Sequence, residues 1–313
     1  MKDLNIDFPL DEFENLITYI GWENLDEWFN FWETKKEILS IDKFWNHSVN
    51  EDWIWGLALP LLSQAYKFNK NLSERKLIGI SALPGTGKST LGKWLESISL
   101  ILNFKICVIS IDDFYLPSNE MELAIKDNPW NVSRGFPGSH SIDLMKEKLQ
   151  KWKLHGQLNV PVFDKSLRNG LGDRAHWRKE EPDLLIIEGW FLGVHPLSME
   201  SKNSEIISPK LSTYERSYRN NIQGNLLHYL DIWNLIDQTW HLKPLKFEYM
   251  NEWKSNQEKN MLLKKGSSLN DKKLSDFLRM LNVSIPHESF DLISSDVLLL
   301  INQDRKLTNV GLN

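Results

Sequence analysis

The chain of 313 residues contains a single cysteine, Cys107, so no internal disulfide can staple it. Cys107 falls inside the apolar run "KICVIS" and reads as a small buried hydrophobe in a reducing cytosol. Long apolar stretches are missing too. The longest, "IWGLALPLL" from Ile54 to Leu62, is far too short to span a bilayer and contains Pro60. The opening "MKDLNIDFPLDEFENL" carries acids and a proline where a secretory leader is basic and then apolar. These absences read as a cytoplasmic protein with no membrane partner. Excess positive charge is also lacking: 37 Lys and Arg against 42 Asp and Glu leave a net charge of −5, which offers no footprint for nucleic acid. Internal repeats and low-complexity tracts are absent, and nothing in the chain speaks to oligomeric state.

Tryptophan, by contrast, is abundant. Six of the fourteen lie in residues 1–74, which read as a helical N-terminal extension preceding a domain over 75–313. Leu25, Trp28, Phe29 and Trp32 share one face of an amphipathic helix. A second helix is expected through "EDWIWGLALPLLSQAYKF", followed by the polar linker "KFNKNLSERK". A tryptophan stripe could dock a partner, but indoles packed as core are the plainer expectation.

From Lys76 the texture changes to strands alternating with helices. "LIGISA", "FKICVISID" and "DLLIIEGW" are short, apolar and β-branched, as buried parallel strands are. "SIDLMKEKLQKWK" is helical, with Ile142, Met145, Leu149 and Trp152 on one face. Residues 221–281 read as mostly helical, with a strand expected at "PLKFEYM" and a last one at "DVLLLIN". The predicted fold is α/β: a P-loop NTPase with a parallel sheet covered by helices on both faces.

Between the first strand and helix stands "IGISALPGTGKST", a phosphate-binding motif whose first glycine is replaced by Ala82. Glycine is required only where φ is positive. Ala82 closes the strand, where a methyl group fits, while Gly85 and Gly87 remain at the bend. Pro84, Gly85, Thr86, Gly87, Lys88, Ser89 and Thr90 are therefore the expected ATP-binding residues. Backbone N–H groups and the helix N-terminus surround the β-phosphate, Lys88 neutralises charge across the β- and γ-phosphates, and the Ser89 hydroxyl ligates Mg²⁺. The Asn-Lys-x-Asp of GTPases and the Leu-Ser-Gly-Gly of ABC-type ATPases are both absent.

"SIDDFYLP" places Asp112 and Asp113 at the carboxyl edge of the sheet, where ligands sit in open α/β folds. Kinases of small alcohols need a carboxylate there to orient the attacking hydroxyl and accept its proton. Glu188, at the end of "DLLIIEGW", can hold Mg²⁺ through water, and Asp113 is a further candidate for the metal.

The P-loop, Asp-x-Phe-Tyr and strand-Glu-Gly, in this order, resemble the kinases of uridine, pantothenate and phosphoribulose. "SRGFPGSHSIDL", "VPVFDKSLRNGLGDRAHW" and "IIEGWFLGVHP" narrow the resemblance to the D-glycerate 3-kinase family. It is strong over about Leu77 to Pro196 and weaker through "NLLHYLDIW" and "EWKSNQEKNM". The resemblance implies transfer of the γ-phosphoryl group of MgATP to D-glycerate, giving 3-phosphoglycerate, with Asp112 as base and Lys88 at the transferring group. It also implies a place in photorespiration. The chain departs from the family at Leu83-Pro84-Gly85, where Pro-Gln-Gly is common, and at Ser141, where an aspartate follows the histidine.

Glycerate is a small anion, and arginine's planar fork pairs bidentately with a carboxylate. Arg134, His140, Lys165, Arg168, Arg174 and Arg178 supply a basic stretch in an otherwise acidic chain. Of these Arg134, His140, Lys165, Arg168 and Arg174 are the expected substrate-binding residues. Asp173 counts with them, and it and Asp164 read as fixing the loop. "RNGLGDR" has the glycine content of a closing lid. Two alternatives stay open: a sibling kinase of another small alcohol such as pantothenate or a nucleoside, and an ATP-binding regulator without a phosphoacceptor.

Overall fold

Alternating branched residues build the centre of the molecule. In β1 (Leu77–Ala82), Ile78, Ile80 and Ala82 face one core and Leu77 the other, as a strand covered on both faces requires. The computed structural model describes residues 6–35, 50–70, 74–197, 210–265 and 268–313. Residues 71–73 of the expected linker and Trp45 of the N-terminal segment lie outside them.

The remaining strands are β2 (Ile106–Ser110), β3 (Leu158–Asp164), β4 (Asp173–Glu180), β5 (Leu184–Gly189), β6 (Gln238–Pro244), β7 (Val297–Ile301) and β8 (Leu307–Leu312). Six of them form one sheet in the order β2-β5-β1-β6-β7-β8. All its pairings are parallel except β7 with β8. The carboxyl ends of β1, β2, β5 and β6 therefore open on the same edge.

Two expectations are corrected here. The strand expected at "PLKFEYM" lies six residues earlier, at Gln238–Pro244, and Leu245–Glu248 turn into a helix. The chain also does not end on "DVLLLIN": a four-residue-scale turn at Asn302–Arg305 returns it as β8, with Arg305 N–H donating to the Asn302 carbonyl at 3.0 Å. β3 and β4 form a separate antiparallel hairpin from the stretch "VPVFDKSLRNGLGDRAHW".

Helices before the sheet are α1 (Leu10–Tyr19), α2 (Leu25–Glu33), α3 (Glu51–Trp53) and α4 (Leu59–Lys70). Within and after it come α5 (Lys88–Ile101), α6 (Ser118–Ala124), α7 (Ile142–His155), α8 (Thr213–Leu226) and α9 (Leu230–Trp233). The last are α10 (Tyr249–Lys265), α11 (Asp271–Val283) and α12 (Glu288–Asp291). Among the described residues no helix is long and apolar enough to cross a membrane. Local chemistry sets several ends. Asn24 caps α2 through Glu27 N–H, Ser212 and Glu215 form a reciprocal box on α8, and Gly156 at φ 78 ends α7. Between α3 and α4 the helix widens into a π-turn at Ile54–Ala58, just ahead of Pro60, which has no N–H to give the preceding turn.

The N-terminal indoles among the described residues are core. Helices α1, α2 and α4 pack on the same side of the sheet as α5, and their buried residues form one cluster with Ile78, Ile186 and Leu299. Trp28 and Trp32 are fully buried, and both indole N–H groups donate to the Ser63 hydroxyl at 2.8 Å. Ser63 in turn donates to the Leu59 carbonyl at 2.7 Å. Ser63→Ala leaves two buried donors unanswered, so folding stability is expected to fall by roughly 3 kcal/mol, read as a lower denaturant midpoint in urea unfolding.

Candidate active site

The phosphate loop follows from its glycines. Gly85 has φ 81 and Gly87 φ 115, whereas Ala82 ends β1 without a positive φ. A methyl group in place of the first glycine is therefore free of backbone strain. A Cβ on Gly85 would lie 2.7 Å from the Trp253 backbone carbon, so glycine is demanded there twice over. Arg305 Nε donates to the Gly85 carbonyl at 3.0 Å, and its guanidinium lies 5.6 Å from the Trp253 ring centre. Trp53 donates to the Arg305 carbonyl and faces Gly87. The loop is thus braced from behind by three parts of the chain. Thr86 is buried, its hydroxyl donating to the Leu83 carbonyl at 2.9 Å, while Ser89 and Thr90 are exposed at the mouth.

Lys88 is the first residue of α5. Its Nζ donates to the Ala82 and Leu83 carbonyls at 2.7 and 3.2 Å and lies 3.9 Å from Glu188 Oε2. Burial pushes the Lys88 ammonium down, with Glu188 acting against it. Burial likewise pushes the Glu188 carboxyl up, opposed by Lys88. The Ser89 hydroxyl donates to Glu188 Oε1 at 3.4 Å. A hydroxyl and a carboxylate at this separation are the hard oxygen donors a Mg²⁺ shared with phosphates takes. Among the described residues no cluster of three or more His, Cys, Asp or Glu side chains could hold a metal by itself.

After β2 a short 3₁₀ turn, Ile111–Phe114, separates the two aspartates by task. Asp113 Oδ2 accepts from Ser110 N–H at 3.0 Å, closing a box in which the Ser110 hydroxyl accepts from Asp112 N–H at 3.2 Å. Asp113 Oδ2 is thereby engaged as a turn cap, and its expected place at the metal rests on the sequence alone. Asp112 is left facing the cleft. Its Oδ2 meets Lys165 Nζ at 2.7 Å, and its Oδ1 is 4.0 Å from His140 Nε2, beyond hydrogen-bond length. Burial alone would push the Asp112 carboxyl up. The Lys165 ammonium and the His140 edge outweigh it and hold the group well below its ordinary value. Lys165 is raised in turn: the surrounding protein opposes its charge, and Asp112 more than offsets that.

Lys165 reaches this position from the turn after β3. Asp164 Oδ1 accepts from both Ser166 N–H and the Ser166 hydroxyl, at 2.8 and 2.6 Å. His140 is brought in by a short antiparallel bridge with Tyr115, on which its ring stacks at 4.5 Å.

The other expected substrate residues have different tasks. Arg134 donates to the Gly170 and Leu171 carbonyls at 3.1 and 2.6 Å, tying down the hairpin tip. Arg168 is paired with Glu122 at 2.7 Å. Asp173 accepts from Ser118 and Arg174 N–H groups. Arg174 donates to the Tyr115 carbonyl at 3.2 Å and to the Ser141 hydroxyl at 2.6 Å, so the serine that replaces the family's aspartate still receives a guanidinium. Arg178 is engaged with Glu96 at 2.6 Å. Their carbonyl and carboxylate partners explain the basic stretch as the fastening of the hairpin to the body. Those are the contacts these side chains make in the fold; a hold on substrate by Arg134, Arg168, Asp173 and Arg174 stays an expectation of the sequence.

One cation was missed. Lys254, on α10, is held by Glu258 Oε1 at 2.6 Å and lies 5.4 Å from the Phe277 ring. Burial pushes it down, and its charge is felt by Lys88. It sits within "EWKSNQEKNM", a stretch whose weak resemblance was the only signal. Lys88 and Lys165 face Glu188 and Asp112 one to one, and Lys254, already paired on α10, acts on them at longer range, so each ammonium here has its carboxylate. A separate cavity of about 320 Å³, lined by Ser81, Leu83, Trp190, His241 and Phe247 among others, includes none of these five residues.

A braced phosphate loop, a lysine beneath it and a carboxylate near it are the parts that phosphoryl transfer needs. Comparison with known proteins carries the reading further. No protein-family model matches the chain. It is 30% identical over 221 residues to an uncharacterized kinase of Schizosaccharomyces pombe, covering 64% of this chain and 76% of that one. The chain belongs to the family of P-loop kinases that includes D-glycerate 3-kinase. The chloroplastic D-glycerate 3-kinase of Arabidopsis thaliana is 31% identical over 215 residues, which span 64% of this chain and 45% of the plant protein. The solved structure of D-glycerate 3-kinase from Cryptococcus neoformans superposes with a TM-score of 0.68 at 24% identity, over 81% of this chain and 99% of that one. That likeness shows the shared fold. As a member of this kinase family the chain is a nucleotide-binding transferase acting on a small molecule.

Proposed function

We propose that this kinase transfers the γ-phosphoryl group of ATP to the C3 hydroxyl of D-glycerate. The observation that carries the reading is the Asp112–Lys165 pair at 2.7 Å, set across the cleft from Lys88 and the phosphate loop. A glycerate hydroxyl hydrogen-bonded to Asp112 leaves the substrate carboxylate to the Lys165 ammonium and the His140 Nε2 edge. Asp112 orients the hydroxyl and accepts its proton as the oxygen bonds to the γ-phosphorus. The bond from that phosphorus to the β–γ bridging oxygen breaks, and ADP leaves. The depressed Asp112 is a weak base, which suits a loose transition state in which the hydroxyl proton departs late. Lys88 and Lys254 offset charge on the moving group. Ser89 and, through water, Glu188 would hold Mg²⁺, which would supply charge neutralisation at the phosphates.

The test is ATP consumption by the purified chain with Mg²⁺ and D-glycerate, the product being identified by NMR. 3-Phosphoglycerate, absent with L-glycerate, is the expected result. Turnover only with pantothenate or a nucleoside would overturn glycerate in favour of a sibling alcohol. ATP binding without turnover on any small alcohol would overturn the kinase assignment of the site.

A further inference from the structure

Tyr229 ends the short 3₁₀ turn between α8 and α9 and is fully buried. Its hydroxyl lies 3.1 Å from the Gly138 backbone nitrogen and 2.7 Å from His140 Nδ1. The Gly138 N–H can only donate, so the phenol oxygen accepts there. The phenol proton then has one acceptor within reach among the described residues, His140 Nδ1. Ser139 does not compete, because its hydroxyl donates to the Phe136 carbonyl at 2.6 Å and lies 3.5 Å from Nδ1.

A neutral imidazole that accepts at Nδ1 carries its proton on Nε2. Burial pushes His140 down, so the ring is neutral near pH 7. Nε2 is itself buried, has no hydrogen-bond partner among the described residues, and lies 4.0 Å from Asp112 Oδ1. The opposite tautomer is disfavoured from both ends. It would strand the phenol proton and turn the Nε2 lone pair toward a carboxylate. Stacking on Tyr115 and the edge of Phe191, at 5.7 Å, fix the ring plane.

We propose that Tyr229 is a positioning residue, locking His140 in the Nε2–H tautomer so that this N–H donates to an oxygen of the small molecule bound beside Asp112. The location of that oxygen rests on the function proposed above; the tautomer does not.

The first test is long-range ¹H–¹⁵N correlation NMR on the full chain, labelled at histidine nitrogens. Among the described residues the buried rings are His140 and His241, and His241→Gln removes the second signal. His140 is expected to be protonated at Nε2 in the unmodified chain and to lose that preference in Tyr229→Phe. A ring protonated at Nδ1, or a tautomer unmoved by Tyr229→Phe, would overturn the proposal. The second test compares His140→Gln with His140→Asn, whose amide nitrogens stand near the Nε2 and Nδ1 positions respectively. With the phosphoacceptor found above, His140→Gln is expected to keep about tenfold more kcat/KM than His140→Asn, with KM for ATP unchanged in both. Equal losses, or a parallel loss of ATP affinity, would overturn the donor role. Failure of glycerate as substrate leaves the NMR result standing, so the two readings fail separately.

Discussion

Asp112→Asn is expected to lower kcat about 10³-fold while leaving ATP affinity within about twofold. The amide keeps the shape of the carboxylate and can still hold a hydroxyl in place, but it cannot take the proton. The phosphate loop is fastened by Arg305 and Trp253, not by Asp112, so nucleotide binding is insulated from the change. Single-turnover rates and ATP titration on the same preparation measure both quantities. An unchanged kcat would remove Asp112 from the chemistry. A collapse of ATP affinity would mark it as part of the nucleotide site instead.

Lys165→Met is the second large effect, and its signature is a displaced pH profile. In the unmodified protein the Asp112 carboxylate persists as pH falls, because Lys165 and His140 hold its pKa well down against burial. Activity that needs the carboxylate is therefore retained on the acid side until that depressed value is reached. Without the ammonium, burial prevails and the carboxyl protonates at higher pH, so the acid limb of kcat/KM moves upward. At the optimum, kcat/KM for the small-molecule substrate is expected to fall about 100-fold, since its anionic group also loses a partner. An acid limb that stays in place would show that Lys165 does not govern Asp112.

Much of this was legible in the residues, and the exceptions share a cause. β1, β2 and β5 coincide with short branched runs because a strand buried on both faces leaves no room for anything else. β6 escaped because Gln238, Thr239, His241 and Lys243 break its apolar run, while the residues after Pro244, "LKFEYM", alternate attractively without forming a strand. Which strand neighbours which depends on packing that no local pattern encodes. At the site, glycine spacing revealed the loop, because positive φ is a local property. Residue type announced a cationic cluster but not where each fork would point. Arg134 and Arg174 found backbone carbonyls, while Lys165 paired with Asp112 and His140 came up beside it. Lys254 comes from a helix remote in sequence, with no motif to announce it.

The bracing of the phosphate loop by indoles has a spectroscopic consequence. Trp53 faces Gly87 with its ring, and Trp253, whose backbone presses on Gly85, sets its ring 5.6 Å from the Arg305 guanidinium that holds the same loop, so two aromatic emitters are tied to the bend. Any shift of that bend changes the packing and polarity around both rings. The loop thus carries built-in optical reporters, and intrinsic emission followed during nucleotide titration reads its occupancy without a label. Trp53→Phe and Trp253→Phe apportion the signal between the N-terminal helices and α10, which grip the same loop from opposite ends of the chain.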